Sequence, residues 1–221
     1  MQNIEVTKRI KPTYFRKLAI GAWRPPTDPK VYTKLTCDVT HLESFFEKKA
    51  TINVSLVHFF TKVMGLVFDA FPELNQVLIG NKMYQRKHIS AFIHTHLNTS
   101  AGYDLLGVNI QSVNSRSLVD IALDIDNQVK QLRKGEIKPM ENAKRVLMWV
   151  PSLLYQVVVR LLDFLMYTLN IDFSFMGLPK DTYGSFGVSS VGSLGFEEAY
   201  VPLFPFSRMP LIMAVGKPVE Q

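Results

Sequence analysis

Residues 185–192 read Ser-Phe-Gly-Val-Ser-Ser-Val-Gly, a short apolar run that carries a pair of hydroxyl groups into a glycine. Two further apolar runs follow, at 200–206, where prolines interrupt the run, and at 210–216. Short apolar runs bounded by glycine and proline are typical of buried β-strands. The end of the chain is therefore predicted to contribute buried strands, with Ser189 and Ser190 at a strand end.

Two explanations fit a serine pair at a strand end. The hydroxyls can bond the backbone at a turn, which is their common structural role. Alternatively, one of them faces a reacting carbonyl group. A nucleophile elbow is excluded because the Gly-x-Ser-x-Gly pattern is absent from 184–195. No Gly-x-Gly-x-x-Gly or phosphate-loop pattern occurs either, so nothing in the sequence supports nucleotide chemistry.

The bulk composition is that of one globular domain with a sizeable core. The 221 residues are 47% apolar and 20% charged. A single cysteine, Cys37, excludes an internal disulfide framework and a cysteine-based zinc site. The first residues lack the apolar core of a signal peptide, so we expect a cytoplasmic protein.

Positive charge is concentrated at the start of the chain. Residues 1–35 hold eight basic and two acidic side chains, and the remaining chain holds 17 of each. This predicts a basic amino-terminal arm over 1–30. The arm is either a solvated segment without a binding role, an anion-binding site, or a segment that contacts an acidic partner or a membrane surface. No nucleic-acid-binding motif occurs, so nucleic acid is not an expected partner.

Strand and helix patterns alternate irregularly along the chain. Apolar spacing and turn residues predict strands at 31–39, 77–79, 82–84, 89–97 and 106–110. They predict helices at 13–22, 40–46, 55–71 and 118–132. Thr40 is the expected N-cap of the second helix, and Ser115 or Ser117 that of the last. The pattern predicts an α/β (α+β) fold with a mixed sheet and packed helices.

Residues 136–180 form an apolar helical insertion in this pattern. The run 146–169 is long enough to cross a bilayer. However, Arg160 and Asp163 lie near its middle, where charge is costly, and their spacing lets them pair on one helix face. We expect a helix that packs against its own domain or a neighbouring subunit. A peripheral membrane contact and a transmembrane span are the alternatives.

The histidines do not form a recognisable metal site. His94 and His96 are predicted on the same side of a strand but lack a local third ligand, so surface polar residues are the expected interpretation. His58 lies within the predicted helix 55–71 beside its apolar stripe, and we expect it to pack there. No metal is predicted.

Several stretches, in order, carry a resemblance to one family. They are Tyr-Phe-Arg-Lys-Leu-Ala-Ile at 14–20, Leu-Thr-Cys-Asp-Val-Thr-His-Leu at 35–42, Phe-Pro-Glu-Leu-Asn at 71–75, Leu-Leu-Gly-Val-Asn-Ile at 105–110, Ser-Leu-Val-Asp-Ile-Ala at 117–122, Leu-Arg-Lys-Gly at 132–135, Phe-Gly-Val-Ser-Ser-Val-Gly at 186–192 and the run 210–216. Together they resemble the catalytic domain of the acyltransferase component of 2-oxo-acid dehydrogenase complexes, which shares its fold with chloramphenicol acetyltransferase.

The resemblance implies a two-layer sandwich, a homotrimer with sites between subunits, and acyl transfer between coenzyme A and a thiol such as dihydrolipoamide. It implies that Ser189 hydrogen-bonds the oxyanion of the tetrahedral intermediate, with Ser190 as an alternative donor. It also implies that Arg16 pairs with the aspartate of a His-x-x-x-Asp-Gly motif whose histidine is the base. Coenzyme A or acyl-coenzyme A would be a substrate, with lipoamide offered in trans by a lipoyl-bearing protein.

The chain departs from the family pattern because its 221 residues contain no His-x-x-x-Asp-Gly motif. We therefore expect a single catalytic domain over 13–221 that is incomplete at its carboxyl end and inactive alone. The alternative is a non-catalytic trimeric scaffold, or a membrane-associated assembly protein, that retains the fold.

Overall fold

The computed structural model describes residues 13–15, 17, 30–48, 54–79, 82–99, 102–134, 150–174 and 180–220. Residues 14, 15 and 17 are helical, and the rest of the helix predicted at 13–22 lies outside the described residues, apart from residue 13. The further helical segments and the six strands of the described residues are as follows. The helices are α1 (Thr40–Lys48), α2 (Leu56–Ala70), α3 (Leu118–Lys134), α4 (Tyr155–Asp163) and a π-helical turn (Phe164–Thr168) that continues α4. The strands are β1 (Gln76–Ile79), β2 (Lys82–Gln85), β3 (Ala91–Thr99), β4 (Gly102–Ile110), β5 (Phe186–Ser190) and β6 (Ile212–Val215). Short 3-10 turns lie at Pro72–Asn75, Ser152–Leu154, Gly192–Leu194 and Pro205–Ser207.

The main sheet is mixed, with strand order β4-β3-β5-β6. Strand β3 runs antiparallel to β4 and parallel to β5, and β5 runs parallel to β6. The strands β1 and β2 form a separate antiparallel hairpin. This arrangement confirms the predicted α/β fold with a mixed sheet and packed helices.

Helices α2 and α3 cover one face of the sheet, and the main core lies beneath them. Phe68 of α2, Ile121 of α3 and Phe186 of β5 are almost completely buried, with the two phenylalanine rings 4.9 Å apart. Burial of side chains of this size stabilises the fold by about 1.5–3 kcal/mol each. The apolar residues that recur at helical spacing in 55–71 and 118–132 therefore form the faces of α2 and α3 that contact the sheet.

Both long helices begin at capping residues that the sequence contains. In α2, the backbone N–H of Ser55 donates to Nδ1 of His58 at 3.0 Å, and Pro72 follows the last turn. In α3, the N–H of Asp120 donates to the hydroxyl of Ser117 at 3.1 Å. Ser117, rather than Ser115, is therefore the cap. His58 is 5% exposed, which confirms its predicted packing role.

An aromatic layer covers the opposite face of the sheet. It consists of Phe92 on β3 together with Tyr183, Phe204 and Phe206 from the segments around β5. Phe92 and Tyr183 lie 5.0 Å apart, and Tyr183 and Phe204 lie 5.8 Å apart, between ring centroids. Val159 of α4 packs on this layer. The sheet is thus buried on both faces, but its second cover consists mostly of loop residues.

Two of the predicted strands are wrong. Residues 31–39 have no regular secondary structure, and Val31 and Leu35 are 92% and 84% exposed. Lys34 instead forms an ion pair with Glu198. The run 200–206 is irregular and ends in a 3-10 turn. A segment with an alternating pattern forms a strand only if a neighbouring strand supplies backbone hydrogen-bond partners. Neither segment pairs with any of the described strands.

The apolar run 146–169 is described from residue 150 onwards and forms a helix over much of its length. One face of α4 packs inward through Tyr155 and Val159, while Val157 and Leu161 remain more than half exposed. The predicted Arg160–Asp163 pair is wrong, since Asp163 is bound elsewhere, by a distant arginine. In the part of the chain that the structure describes, no helix has both the length and the apolar character to cross a membrane.

Candidate active site

Ser189 lies on β5 with its side chain on the aromatic-covered face of the sheet. Successive side chains of a strand point to opposite faces. Phe186 and Val188 belong to the core beneath the helices, so Gly187 and Ser189 face the aromatic layer. Ser189 is 8% exposed, and no described residue bonds its hydroxyl. An uncommitted hydroxyl on a mostly apolar surface can donate to an incoming oxygen atom.

Ser190 faces the other side of the sheet, in the direction of Val188. Its backbone carbonyl oxygen accepts a hydrogen bond of 2.7 Å from the hydroxyl of Ser193, in the turn that follows β5. The two serines therefore cannot act on the same group. This geometry favours Ser189 over Ser190 as the site residue.

His94 on β3 is the register partner of Ser189 on the neighbouring parallel strand. Its ring stands edge-on to Phe92, with the centroids 5.0 Å apart. Its Nε2 atom is buried and has no hydrogen-bond partner among the described residues. The expectation that His94 and His96 are both surface residues is therefore wrong for His94, because the aromatic layer covers its end of β3, whereas His96 is exposed.

The surroundings of His94 keep its imidazole uncharged. Burial, and to a lesser extent the charge of His96, lower the pKa of His94 from 6.5 to about 4. Burial also raises the pKa of Tyr183, in the aromatic layer, well above its ordinary value. At neutral pH this face therefore offers uncharged hydrogen-bonding groups in a weakly polar environment, where such bonds are stronger than in water.

Two glycines leave room around the imidazole. A Cβ atom at Gly107, opposite His94 on β4, would lie 2.5 Å from the Phe92 ring. A Cβ atom at Gly187 would lie 3.3 Å from Nε2 of His94 and 3.3 Å from Cε of Met209. Side chains at either position would fill the space that the imidazole and its aromatic neighbour occupy.

An arginine–carboxylate pair fastens α4 to the segment that carries the aromatic layer. Nη2 of Arg208 lies 2.8 and 2.7 Å from the two carboxylate oxygens of Asp163. The guanidinium also lies over the ring of Tyr167, 5.6 Å from its centroid. Arg208 adopts a left-handed backbone conformation, with φ of 54°. These contacts hold the loop that covers His94 and Ser189.

The other predicted site features are outside this arrangement. Arg16 lies outside the described residues, so its pairing stays a prediction. Among the described residues, no group of three or more potential ligands could hold a metal ion. A surface pocket lined by Asn75, Arg86 and Ser112 is polar, but it does not include Ser189. Sequence reasoning did not identify His94 as a site residue; its only signal was the shared strand face of His94 and His96.

Comparison with known proteins identifies the family. The family model described as 2-oxoacid dehydrogenases acyltransferase (catalytic domain) matches residues 22–146, more than half of the chain, although the match ends before β5. The lipoamide acyltransferase component of the branched-chain alpha-keto acid dehydrogenase complex of Bacillus subtilis (strain 168) is 27% identical over 139 residues. That alignment covers 59% of this chain and 32% of the relative.

Solved structures share the fold at lower sequence identity. The dihydrolipoamide acetyltransferase of Azotobacter vinelandii is 18% identical with a TM-score of 0.54, over 83% of this chain and 60% of that one. A truncated catalytic core of the 2-oxoacid dehydrogenase multienzyme complex from Thermoplasma acidophilum is 17% identical with a TM-score of 0.53, over 83% and 67%. The chain thus spans about a third of the curated relative that it matches and about 60% of the Azotobacter structure. It belongs to the family of 2-oxoacid dehydrogenase acyltransferase catalytic domains.

Proposed function

We propose that the protein moves an acyl group between coenzyme A and a thiol acceptor such as dihydrolipoamide, and that Ser189 stabilises the oxyanion formed on the way. The main support is the position of Ser189, a nearly buried hydroxyl without a described partner on the aromatic-covered face. Family membership supplies the class of reaction. The Azotobacter relative was solved in an investigation of a serine, a histidine and an asparagine in its catalytic mechanism, which supports a serine role here.

The reaction needs stabilisation of negative charge on one oxygen atom. The acceptor thiol loses its proton to a base, and its sulfur attacks the carbonyl carbon of the acyl thioester. A carbon–sulfur bond forms, and the π pair of the carbonyl moves onto oxygen. Ser189 donates a hydrogen bond to that oxygen. The carbonyl then re-forms, the bond to the coenzyme A sulfur breaks, and the proton passes from the base to the departing thiolate.

The base is the part of this mechanism that Ser189 does not supply. The family resemblance gives this role to a histidine in a His-x-x-x-Asp-Gly motif, which the 221 residues do not contain. In the proposed mechanism that histidine is not one of these residues, and Arg16 orients its motif. Without that base these residues alone are inactive. A protein that retains the fold without the base would be a scaffold.

The proposed partners follow from the relatives and from an uncovered surface. The relatives are parts of 2-oxoacid dehydrogenase complexes. We extend to this chain a homotrimeric assembly and an acyl group delivered by a lipoyl-bearing protein. On and just after α4, Val157, Leu161 and Phe164 are 59%, 55% and 48% exposed, and an apolar surface of this kind suits a subunit contact. Contact of residues 146–169 with a membrane surface remains the alternative use of this surface.

An acyl-exchange assay tests the proposed function. The protein is incubated with acetyl- or isobutyryl-coenzyme A and dihydrolipoamide, and S-acyl dihydrolipoamide is measured by mass spectrometry. Because the base is not one of these residues, the assay is run with and without added imidazole as an external base. Product formation above the uncatalysed rate with imidazole, but not without it, supports the proposal, and product formation without imidazole contradicts the assignment of the base to a histidine outside these residues. No product in either condition, with the protein folded, contradicts it and favours the scaffold.

A further inference from the structure

A transverse row of four residues crosses the sheet beneath the aromatic layer. In register order the row reads Gly107, His94, Ser189 and Ala214, from β4 to β6. Neighbouring strands lie about 4.8 Å apart, so His94 and Ser189 are adjacent side chains on one face. Gly107 and Ala214 flank them, and these two residues have no side chain and a single methyl group, respectively. This row therefore places a hydroxyl and an imidazole side by side, with small residues on either side.

The imidazole has an unused polar atom beside this row, next to Gly187 of β5. Nε2 of His94 is buried, lies close to the space above Gly187, and has no hydrogen-bond partner among the residues that the structure describes. A buried nitrogen without a partner destabilises the free protein. Such atoms are expected where a bound group completes the hydrogen bond.

We infer that His94 is a second hydrogen-bond donor to the carbonyl oxygen of the acyl thioester, next to the hydroxyl of Ser189. The inference rests on the proposed function and deepens it. When the thiolate attacks, the π pair of the carbonyl moves onto oxygen, and both donors keep their protons. Both groups donate hydrogen bonds to the oxyanion, and two donors stabilise its negative charge more than either donor alone.

The environment of His94 excludes the role of thiol base. A free thiol has a pKa of about 8.5, and the pKa of His94 is held at about 4. Proton transfer between groups so different is unfavourable by roughly four orders of magnitude. An imidazole that stays neutral can still donate through a protonated Nε2. His94 therefore acts as a donor while the thiol proton goes elsewhere.

A flexible side chain, that of Met209, borders the space next to Nε2. Cε of Met209 lies over the same space, 3.3 Å from the Cβ position of Gly187. Methionine is unbranched and adaptable, so its rotation opens the space without a backbone change. Hydrogen bonds of active sites are often formed only when the substrate is bound.

Two coenzyme A compounds that differ in one oxygen atom test the inference. One is a ketone analogue of acetyl-coenzyme A in which the thioester sulfur is replaced by methylene. The other is the same methylene analogue with its carbonyl group replaced by methylene, so that it lacks the carbonyl oxygen. Isothermal titration calorimetry gives the dissociation constant of each compound, and their ratio is the preference of the protein for the ketone. We expect His94→Leu to reduce that preference about three- to tenfold, His94→Gln to restore part of it, and the matched strand variant His96→Leu to leave it unchanged.

Thermal melts and nitrogen NMR separate this role from a structural one. His94→Leu is expected to melt at or above the temperature of the parent protein, because it removes an unpartnered nitrogen. The ¹⁵N spectrum is expected to show a neutral His94 with its proton on Nε2.

An unchanged ketone preference in His94→Leu, with acyl transfer present, overturns this inference and leaves the proposed function standing. A proton on Nδ1 rather than Nε2 of His94 also overturns it. Failure of the parent protein to bind either compound overturns the proposed function and the inference with it.

Discussion

His94 on β3 and Ser189 on β5 are register partners on adjacent parallel strands, and both side chains lie on the aromatic-covered face of the sheet. The two residues are 95 positions apart in the chain, so the sequence around either residue does not predict that they are neighbours. It places a neutral imidazole with a buried Nε2 atom beside a hydroxyl without a described partner. Several measurable properties of the protein follow from this pair and from the contacts that hold its cover.

Protonation of His94 should make the folded state less stable in acid. The unfolded chain binds this proton below pH 6.5, but the folded protein binds it only near pH 4. Stability from this group is therefore complete above pH 6.5 and is lost as the pH falls towards 4. Between pH 7 and pH 5 the expected loss is about 2 kcal/mol. Urea unfolding at the two pH values measures it.

The variants His94→Leu and His96→Leu provide the comparison for this pH effect. His94→Leu should lose most of the acid-dependent difference, while His96→Leu should keep it. Burial also lowers the pKa of His58, so part of the acid effect remains in both variants. An unchanged pH dependence in His94→Leu would show that His94 is protonated in the folded protein at pH 5.

The two glycines beside the imidazole should respond differently to alanine. At Gly107 the added Cβ would lie 2.6 Å from the carbonyl oxygen of Ile93, a backbone atom that cannot move alone. At Gly187 the nearest atom is a side-chain carbon of Ile212, at 3.1 Å. We expect Gly107→Ala to destabilise the fold by about 3 kcal/mol or more and Gly187→Ala by about 1 kcal/mol.

Chemical denaturation of the two variants under the same conditions measures this difference. Gly187→Ala should also shift the ¹⁵N resonances of His94, because the new methyl group approaches Nε2. Equal destabilisation by the two substitutions would contradict the predicted packing of this face.

The Asp163–Arg208 pair should matter more to stability than a surface pair. Asp163 and Arg208 are only 24% and 33% exposed, and Nη2 of Arg208 contacts both carboxylate oxygens. Asp163→Ala leaves the guanidinium without its carboxylate, at an expected loss of about 1–3 kcal/mol. Thermal melts monitored by circular dichroism provide the measurement.

Lys34→Ala is the matched control for this substitution. It removes the pair with Glu198, in which the side chains are 60% and 39% exposed, and screening by water leaves such pairs with little effect. Its melting temperature should equal that of the parent protein. A loss in Lys34→Ala as large as that in Asp163→Ala would show that the α4 contact is not specially stabilising.

Local patterns predicted the helices and most strands correctly. The apolar stripe of α2 ends at Pro72, and Ser117 caps α3, so the information lies within a few residues of each boundary. Residues 31–39 show the limit of this reasoning. Their side chains alternate in sequence as in a strand, but a strand also needs a neighbouring edge, and no described strand pairs with them.

Side-chain partners were harder to predict than elements. Arg160 and Asp163 have the spacing of a helical pair, which stabilises by only about 0.2–0.5 kcal/mol. Asp163 is instead bound by Arg208, 45 residues away, in a partly buried contact of one guanidinium nitrogen with both carboxylate oxygens. His94 was missed for a related reason. Alternation placed it on one face of β3, but the aromatic layer that buries it comes from residues 183–206.

Comparison of Ser189→Ala with Ser190→Ala in the acyl-exchange assay tests the proposed mechanism most directly. The two serines are adjacent in sequence but face opposite sides of the sheet. Each protein is assayed with acetyl-coenzyme A, dihydrolipoamide and the same concentration of added imidazole. We predict that Ser189→Ala lowers kcat by about 100- to 1,000-fold, the typical effect of removing one oxyanion donor, while Ser190→Ala stays within a few fold of the parent protein. Equal activity of Ser189→Ala and the parent protein would contradict the assignment of Ser189.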